Sequence, residues 1–572
     1  MSVGTPAITN FTAGEWSEKL MGRIDLARYG QACSELKNMT IMPHGAVTRR
    51  MGTEFVSTCA SAAVRLLPFI FSEEQSYVLE FTEGKIRFFR SGGLLANKDI
   101  QSDYTATDIS QLGYCQSADV MYLVCPAKAP RKLIRNGQDS FALVTVTFAD
   151  APAEWKEGNW PACVTFYQQR LWLAGTPEQP QKVWASKTGS FEDFKTGTEE
   201  DAALALSLVS EQVNAVRWII PQKSLMGGTS GGEWALYAGN PGNSGAITNK
   251  TLESVRNSNY GSAAVRPLLV GASVFHVSAD KRRLRDLGYT FSEDTFISND
   301  VSLVAEHLTR PGIKELAYMQ NPDSIVWVVM QNGSLAGITY LKEQEVGGWH
   351  RHESQGQILS VCCIPGQNYT QTWFAVKRQN AVCIERMHAP WDGVSTNDPA
   401  CWYVDSGLLY EGAATTRIGG IQHLEGMEVE VLADGAAHKP LVVKNGAITL
   451  AAPATRVLVG LGYSWALAPM RLEGLSQRGT MQGKKTRVVD VMVRLYKSLG
   501  LCWERRGQSD PPYPLADRDV DMPLDAAPRP FTGDAVMTMP LGWDSDTRIR
   551  LSGRGAFPAT VIMMVPKIAI NE

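Results

Sequence analysis

The chain has 572 residues, with 55 Lys and Arg against 58 Asp and Glu and a formal net charge of −3. That length exceeds what one hydrophobic core organises, so two or more cores are expected. A balance so close to neutral excludes the strongly basic footprint of a protein that grips nucleic acid electrostatically, although sliding contact stays open because such a wall would not trap phosphates through counterion release.

In chain order, Met1-Ser2-Val3-Gly4-Thr5-Pro6 lacks the basic start and apolar core of a secretory signal, so a protein made and kept in the cytoplasm is expected. Residues 1–58 read as an extended N-terminal arm with a turn at Pro43-His44-Gly45. The best helical periodicity lies at Tyr29 to Leu36, where Ala32, Cys33 and Leu36 could share a face. From residue 59 the apolar runs become short, alternating and rich in Val, Tyr, Phe and Trp, which is the texture of β-sheet.

One module recurs in this region: an apolar strand, a turn and a second strand. Copies start at Ser76 (SYVLEFTEGKIRFFR), Asp119, Arg170, Ser224, Ser273, Ser324 and Gln371 (QTWFAVKRQNAVCIERM). Their spacing of about fifty residues is the period expected when each copy is the central hairpin of a four-stranded propeller blade. A mainly β protein follows, with a β-propeller of six to eight blades, seven by this count, over residues 59–412. A sandwich array of unrelated hairpins is the competing architecture. After about Ile421 the spacing changes (MEVEVLADG, PLVVKNGAITL, KTRVVDVMVRLY), and residues 413–572 read as a separate C-terminal β domain. The Pro- and Asp-rich stretch between Cys502 and Phe531 reads as a long surface loop or a partner-contacting segment, since proline removes ladder donors.

Candidate chemistry is sparse. Gly228-Thr229-Ser230-Gly231-Gly232 fits the pattern of a hydrolase nucleophile elbow, but Glu233-Trp234-Ala235-Leu236-Tyr237 resumes a strand where an elbow needs a helix, so a hairpin turn is expected. His350 and His352 would share one face of a strand, yet no further ligand stands at zinc spacing, and a polar strand end or interface cluster is the reading. Asp517, Asp519 and Asp521 alternate without the glycine turn and closing carboxylate of a calcium loop and read as a solvated acidic loop. Lys281-Arg282-Arg283-Leu284-Arg285 and Lys484-Lys485 are the densest basic spots and read as solvated hairpin borders. Ten cysteines without a C-x-x-C pair, only Cys362 and Cys363 being adjacent, read as free thiols. No catalytic, cofactor or metal residue is nominated, no cofactor is expected, and the chain reads as not an enzyme. No stretch approaches the roughly 18 consecutive apolar residues of a membrane-spanning helix, so no membrane insertion is expected.

Several stretches resemble one family. The phrase from Asn10 to Val56, with Phe11, Gly14, Glu15, Leu20, Gly22, Arg23, Asp25, Tyr29 and Arg49-Arg50-x-Gly52-Thr53, is similar to the tail tubular, nozzle or DNA-stabilisation proteins of short-tailed bacteriophages. So are QSADVMYLVCP from Gln116, GTSGGEW from Gly228, and the segment from Ala317 through Trp349 to Met387. The resemblance covers most of the chain to about residue 412, more loosely 428–501, and runs out after Leu501. It implies a structural virion protein in a ring, usually a hexamer, between the head-to-tail adaptor and the fibre or tip proteins. That ring would enclose the channel through which double-stranded DNA is retained and later ejected, without sequence specificity. The charge balance adds the expectation of a channel wall too weakly positive to hold phosphates. A receptor-binding or glycan-degrading tail protein is the alternative.

Overall fold

Seven times along the chain, alternating apolar residues fold into an antiparallel meander: 64–101, 113–145, 163–207, 216–258, 268–300, 313–352 and 357–387. These are blades 1 to 7 of a propeller, and the second and third strands of each are the hairpin that recurs in the sequence. The structure is a computed structural model that describes residues 2–239, 245–292, 295–472, 481, 483–506, 512–517, 523, 527–538, 542–546, 548–553 and 555–571.

The two-residue period of a strand explains why blades stack. In Val120–Cys125, Met121, Leu123 and Cys125 pack towards blade 1, while Tyr122 and Val124 pack towards blade 3. In Ile325–Met330, Trp327 and Val329 face blade 7, and Val326 and Val328 face blade 5. Each sheet thus has two apolar faces and needs two neighbours, at roughly 1.5–3 kcal/mol for each large side chain buried. Seven inter-blade cores result, and the seventh joins Trp373 and Ala375 of blade 7 to Leu66, Val78 and Phe89 of blade 1. The ring is therefore closed. Blade 7 supplies only three consecutive strands, and its fourth, Thr53–Thr58, comes from before blade 1 and pairs antiparallel with Val382–Met387. Closure is tied by hydrogen bonds between segments more than 300 residues apart.

The remaining residues form a platform grown from the outer edges of blades 6 and 7. Beyond Val346–His352 the sheet continues through Gly14–Glu15, Ala32–Lys37, Trp465–Pro469, Ile549–Gly553 and Leu501–Arg505. Beyond Thr53–Thr58 it continues through Asp405–Gly419, Ala447–Leu461, Glu428–Ala433 and Ala436–Val442. A third sheet aligns Met39–Ile41, Val47–Arg49, Thr560–Ile570, Thr486–Ser498 and Phe531–Thr538, with Ser2–Gly4 also on Thr560–Ile570.

Three expectations change here. Residues 1–58 are no arm: Phe11, Leu36, Ile41 and Val47 share one core with Trp465, Val491, Leu551 and Val561, because short strands with an apolar face must find partners wherever the chain supplies them. The C-terminal region is accordingly not separate, since it is completed by the first fifty residues, and its strand Asp405–Gly419 begins before 413. The helix at Tyr29 to Leu36 is a single 3-10 turn, Tyr29–Gln31, followed by the strand Ala32–Lys37, where pairing with Trp465–Pro469 overrides local periodicity. The turn at Pro43-His44-Gly45 is present, with the Gly45 amide donating to the Met42 carbonyl at 2.9 Å.

Candidate functional site at the joint of propeller and platform

Residues 49–53 carry the chain from the platform strand Val47–Arg49 into the closing strand Thr53–Thr58, and both arginines turn inward. Arg49 donates to the carbonyls of Gly555 and Phe557, each at 2.7 Å, and of Tyr463 at 2.8 Å. Arg50 grips Asp405 with two bonds of 2.7 Å, donates from Nε to Asn38 Oδ1 at 3.1 Å, and lies 3.9 Å over the Tyr463 ring. Burial by itself would raise the Asp405 carboxyl, but the Arg50 guanidinium outweighs it and holds the group below its ordinary value.

A second fork lies alongside. Arg378 binds Glu385 through bonds of 2.8 and 2.6 Å, and the Thr53 hydroxyl donates to the same carboxylate at 2.5 Å. Ser354 links the two pairs, accepting from Arg378 and donating to Asp405, both at 2.6 Å. Gly52 is required because a Cβ there would sit 1.9 Å from the Val404 carbonyl oxygen, and backbone cannot yield. Bidentate geometry with every oxygen occupied is what makes such buried charge tolerable.

The front of the same phrase anchors blade 6. Gly14, at φ +69°, lets the chain pass against Trp349, whose amide nitrogen would stand 2.4 Å from a Cβ. Glu15 is buried, accepts from the Leu36 amide at 2.7 Å and meets His307 Nε2 at 2.9 Å. Tyr29 donates its hydroxyl to the Met21 carbonyl at 2.9 Å. By contrast Gly22, Arg23 and Asp25 are exposed, Arg23 and Asp25 forming a surface fork with both bonds at 2.8 Å.

The other residues marked in the sequence fall out as follows. His350 and His352 share a strand face but are buried, with Nδ1 of the first 2.6 Å from Nε2 of the second; burial pushes His350 down to about 3 and His352 well below its ordinary value. They stand at the end of the strand Val346–His352, buried rather than solvated, and among the described residues no group of three or more His, Cys, Asp or Glu that could hold a metal gathers. His352 also lines a cavity of about 210 Å³ beside the arginine forks. Ser230 sits in the turn between Leu225–Thr229 and Gly232–Ala238, as a hairpin requires. Asp517 accepts from the Gly500 amide at 2.8 Å, whereas Asp519 and Asp521 lie outside the described residues. Lys281, Arg282 and Arg283 are exposed at a hairpin, but Arg285 is buried, stacked 3.4 Å over Tyr260 and donating to Ser298 O at 3.0 Å. Lys484 and Lys485 precede the strand Thr486–Ser498, Lys485 exposed and Lys484 half-buried. All ten cysteines are free. Within the Pro-rich stretch, Tyr513–Pro514 pairs with Cys502 and Trp503 and the Tyr513 ring stacks on Trp503 at 4.6 Å; residues 507–511, 518–522 and 524–526 lie outside the described residues. No helix among the described residues is long and apolar enough to cross a membrane.

No family model matches this chain, and no curated protein matches it. Among solved structures it is similar to the β-propeller domain of Myceliophteria thermophila Cps50 (Swd1), at 10% identity over 59% of this chain and 100% of that one, TM-score 0.37. It is also similar to the RRP9 WD40 repeats, at 10% identity over 59% and 99%, TM-score 0.39. Chaetomium thermophilum Raptor aligns at 10% identity over 60% of this chain and 29% of that one, TM-score 0.37. The class is a seven-bladed propeller with a platform, and that assignment rests on the strand pairing of this chain.

Proposed function

We propose that this chain is a structural protein of a bacteriophage tail, a nozzle or tail-tube ring subunit that encloses the DNA channel, retains the packaged genome and lets it pass on ejection. One observation carries the reading. The residues through which the sequence resembles that family are largely those that weld propeller to platform: Phe11 in the platform core, Gly14 and Glu15 against blade 6, and Arg49, Arg50, Gly52 and Thr53 at the ring closure. A subunit that bears the load of a pressurised channel needs two bodies fixed to each other, and a buried, hydrogen-bonded charge network locks their register more tightly than apolar contact alone.

The ring would be built from copies of this chain, with the head-to-tail adaptor and the fibre or tip proteins as neighbours and the virion as its location. Its wall would be weakly charged, in keeping with the net −3, so that DNA slides. The test is copy number per purified particle by quantitative mass spectrometry. The family resemblance implies about six copies, and absence from the particle refutes the proposal.

The exposed members of the phrase supply a second prediction. Arg23 and Asp25 pair only with each other at the surface, and such pairs add little to folding. Arg23→Ala is expected to leave the melting temperature unchanged and to reduce incorporation into particles. Normal incorporation would remove this loop from the subunit contacts.

A further inference from the structure

The axis of the propeller holds a cavity of about 540 Å³, lined by inner-strand residues of blades 1, 2, 5, 6 and 7. Four cations reach it, Arg65, Arg266, Lys281 and Lys314, against Glu315 as the one carboxylate among the described lining residues. The excess of positive charge is three, in a chain that is otherwise slightly acidic.

Three of the cations are anchored on carbonyls and a ring, and of these Arg65 also faces the lining carboxylate Glu315. Arg65 donates from one Nη to the Ile109 carbonyl at 3.1 Å and the Leu112 carbonyl at 2.7 Å. The Arg266 guanidinium lies 3.7 Å over the Tyr114 ring and donates to the Tyr114 carbonyl. Lys314 donates to the Leu359 carbonyl at 2.6 Å. Carbonyl anchors fix direction while leaving net charge and further N–H groups for something else. Glu315 stands 3.6 Å from Arg65 and accepts from the Val361 amide at 3.2 Å. It is thus spent on the wall, and its burial pushes the carboxyl up, which weakens its claim on the cations.

Fixed cations in a concave site concentrate anions and bind oxyanions through charge-assisted bonds. A carboxylate monoanion would leave most of the excess unmatched. A phosphate dianion offers the charge, and its several oxygens match two guanidinium forks and an ammonium. We propose that the axial cavity is a binding site for a phosphate group, held by Arg65, Arg266 and Lys314, with Lys281 at its edge. The group comes either as free phosphate or as the ester of a small polar molecule such as a sugar. The site stands on the propeller alone and does not depend on the tail reading.

The test is isothermal titration of the full chain at low ionic strength with inorganic phosphate and, separately, with a sugar phosphate. Saturable 1:1 binding is expected, weakened about tenfold or more in Arg266→Gln and in Lys314→Gln, the cost of one charge-assisted bond. Lys485→Gln, on the platform, should bind as the parent does. Tighter binding of the sugar phosphate than of inorganic phosphate would identify an ester ligand, and equal binding would identify free phosphate. Circular dichroism and melting temperature check that the variants fold; Lys314, on an exposed side chain with one anchor, is the variant least able to disturb the blade. No binding of either probe, or binding unchanged in Lys314→Gln, overturns the proposal.

Discussion

Arg50→Met is expected to cost about 3–5 kcal/mol of stability, because it leaves Asp405 charged or forces it to take a proton in a buried site. Among the described residues no other arginine bonds Asp405; only Ser354 remains to it. The double variant Arg50→Met/Asp405→Leu should recover a large part of the loss, since replacing both partners of a buried pair by apolar groups is often close to neutral. Urea denaturation of the parent, the two single variants and the double variant closes the cycle. If the pair is what couples the two bodies, Arg50→Met should also split a single transition into two, one for the platform and one for the propeller. A single variant as stable as the parent would show that the fork contributes nothing to the joint.

Stability is expected to fall steeply as pH drops below about 6.5. Five of the eight histidines are held below their ordinary value of 6.5 by burial: His276 and His350 at about 3, His352 well below, and His388 and His423 by smaller shifts. The unfolded chain binds these protons below pH 6.5, while in the folded chain His276 and His350 refuse them until about pH 3 and the others stay neutral below 6.5 to an extent set by their burial. Stability is therefore fully present above that window and lost through it as pH falls. Three strongly shifted groups correspond to about three protons taken up on unfolding near pH 5, or a slope on the order of 4 kcal/mol per pH unit. Glu233 and Glu315, whose carboxyls burial raises, act with the opposite sign and soften the slope. Asp405, held low by Arg50, adds a further loss only as pH falls below about 4. Urea midpoints at pH 7.5 and pH 5.0 measure the effect, and His350→Phe should flatten it. A midpoint that does not move between those pH values would contradict burial of the imidazoles.

The seven hairpins were legible because each is local. An apolar strand, its turn and its return strand lie within about twenty residues, so alternation and turn chemistry are both visible in one window. The outer strands were harder. Leu252–Ser258 is mostly polar, and Gly93–Leu94 is two residues long. The phrase ending at Arg49-Arg50-x-Gly52-Thr53 stood out as a pattern, but its partners Asp405, Tyr463, Glu385 and Phe557 are 332 to 508 residues away, and no spacing could have named them. The axial cations escaped for the same reason: Arg65, Arg266 and Lys314 share no motif and line one cavity only because different blades converge on it.

What the sequence determined by itself was the class of sheet, the number of blades and the hairpin at Gly228 to Gly232, all set by side-chain period and turn residues within a short window. Only the tertiary structure decided that the N-terminal segment closes the ring and completes the platform, that His350 and His352 are buried, and that two arginines meet two carboxylates at the joint. The physical reason is one of range: a strand's faces and turns are fixed by its own residues, whereas the partner of an edge, a buried charge or a cavity-lining cation is chosen by which surfaces remain uncovered once the local units have formed.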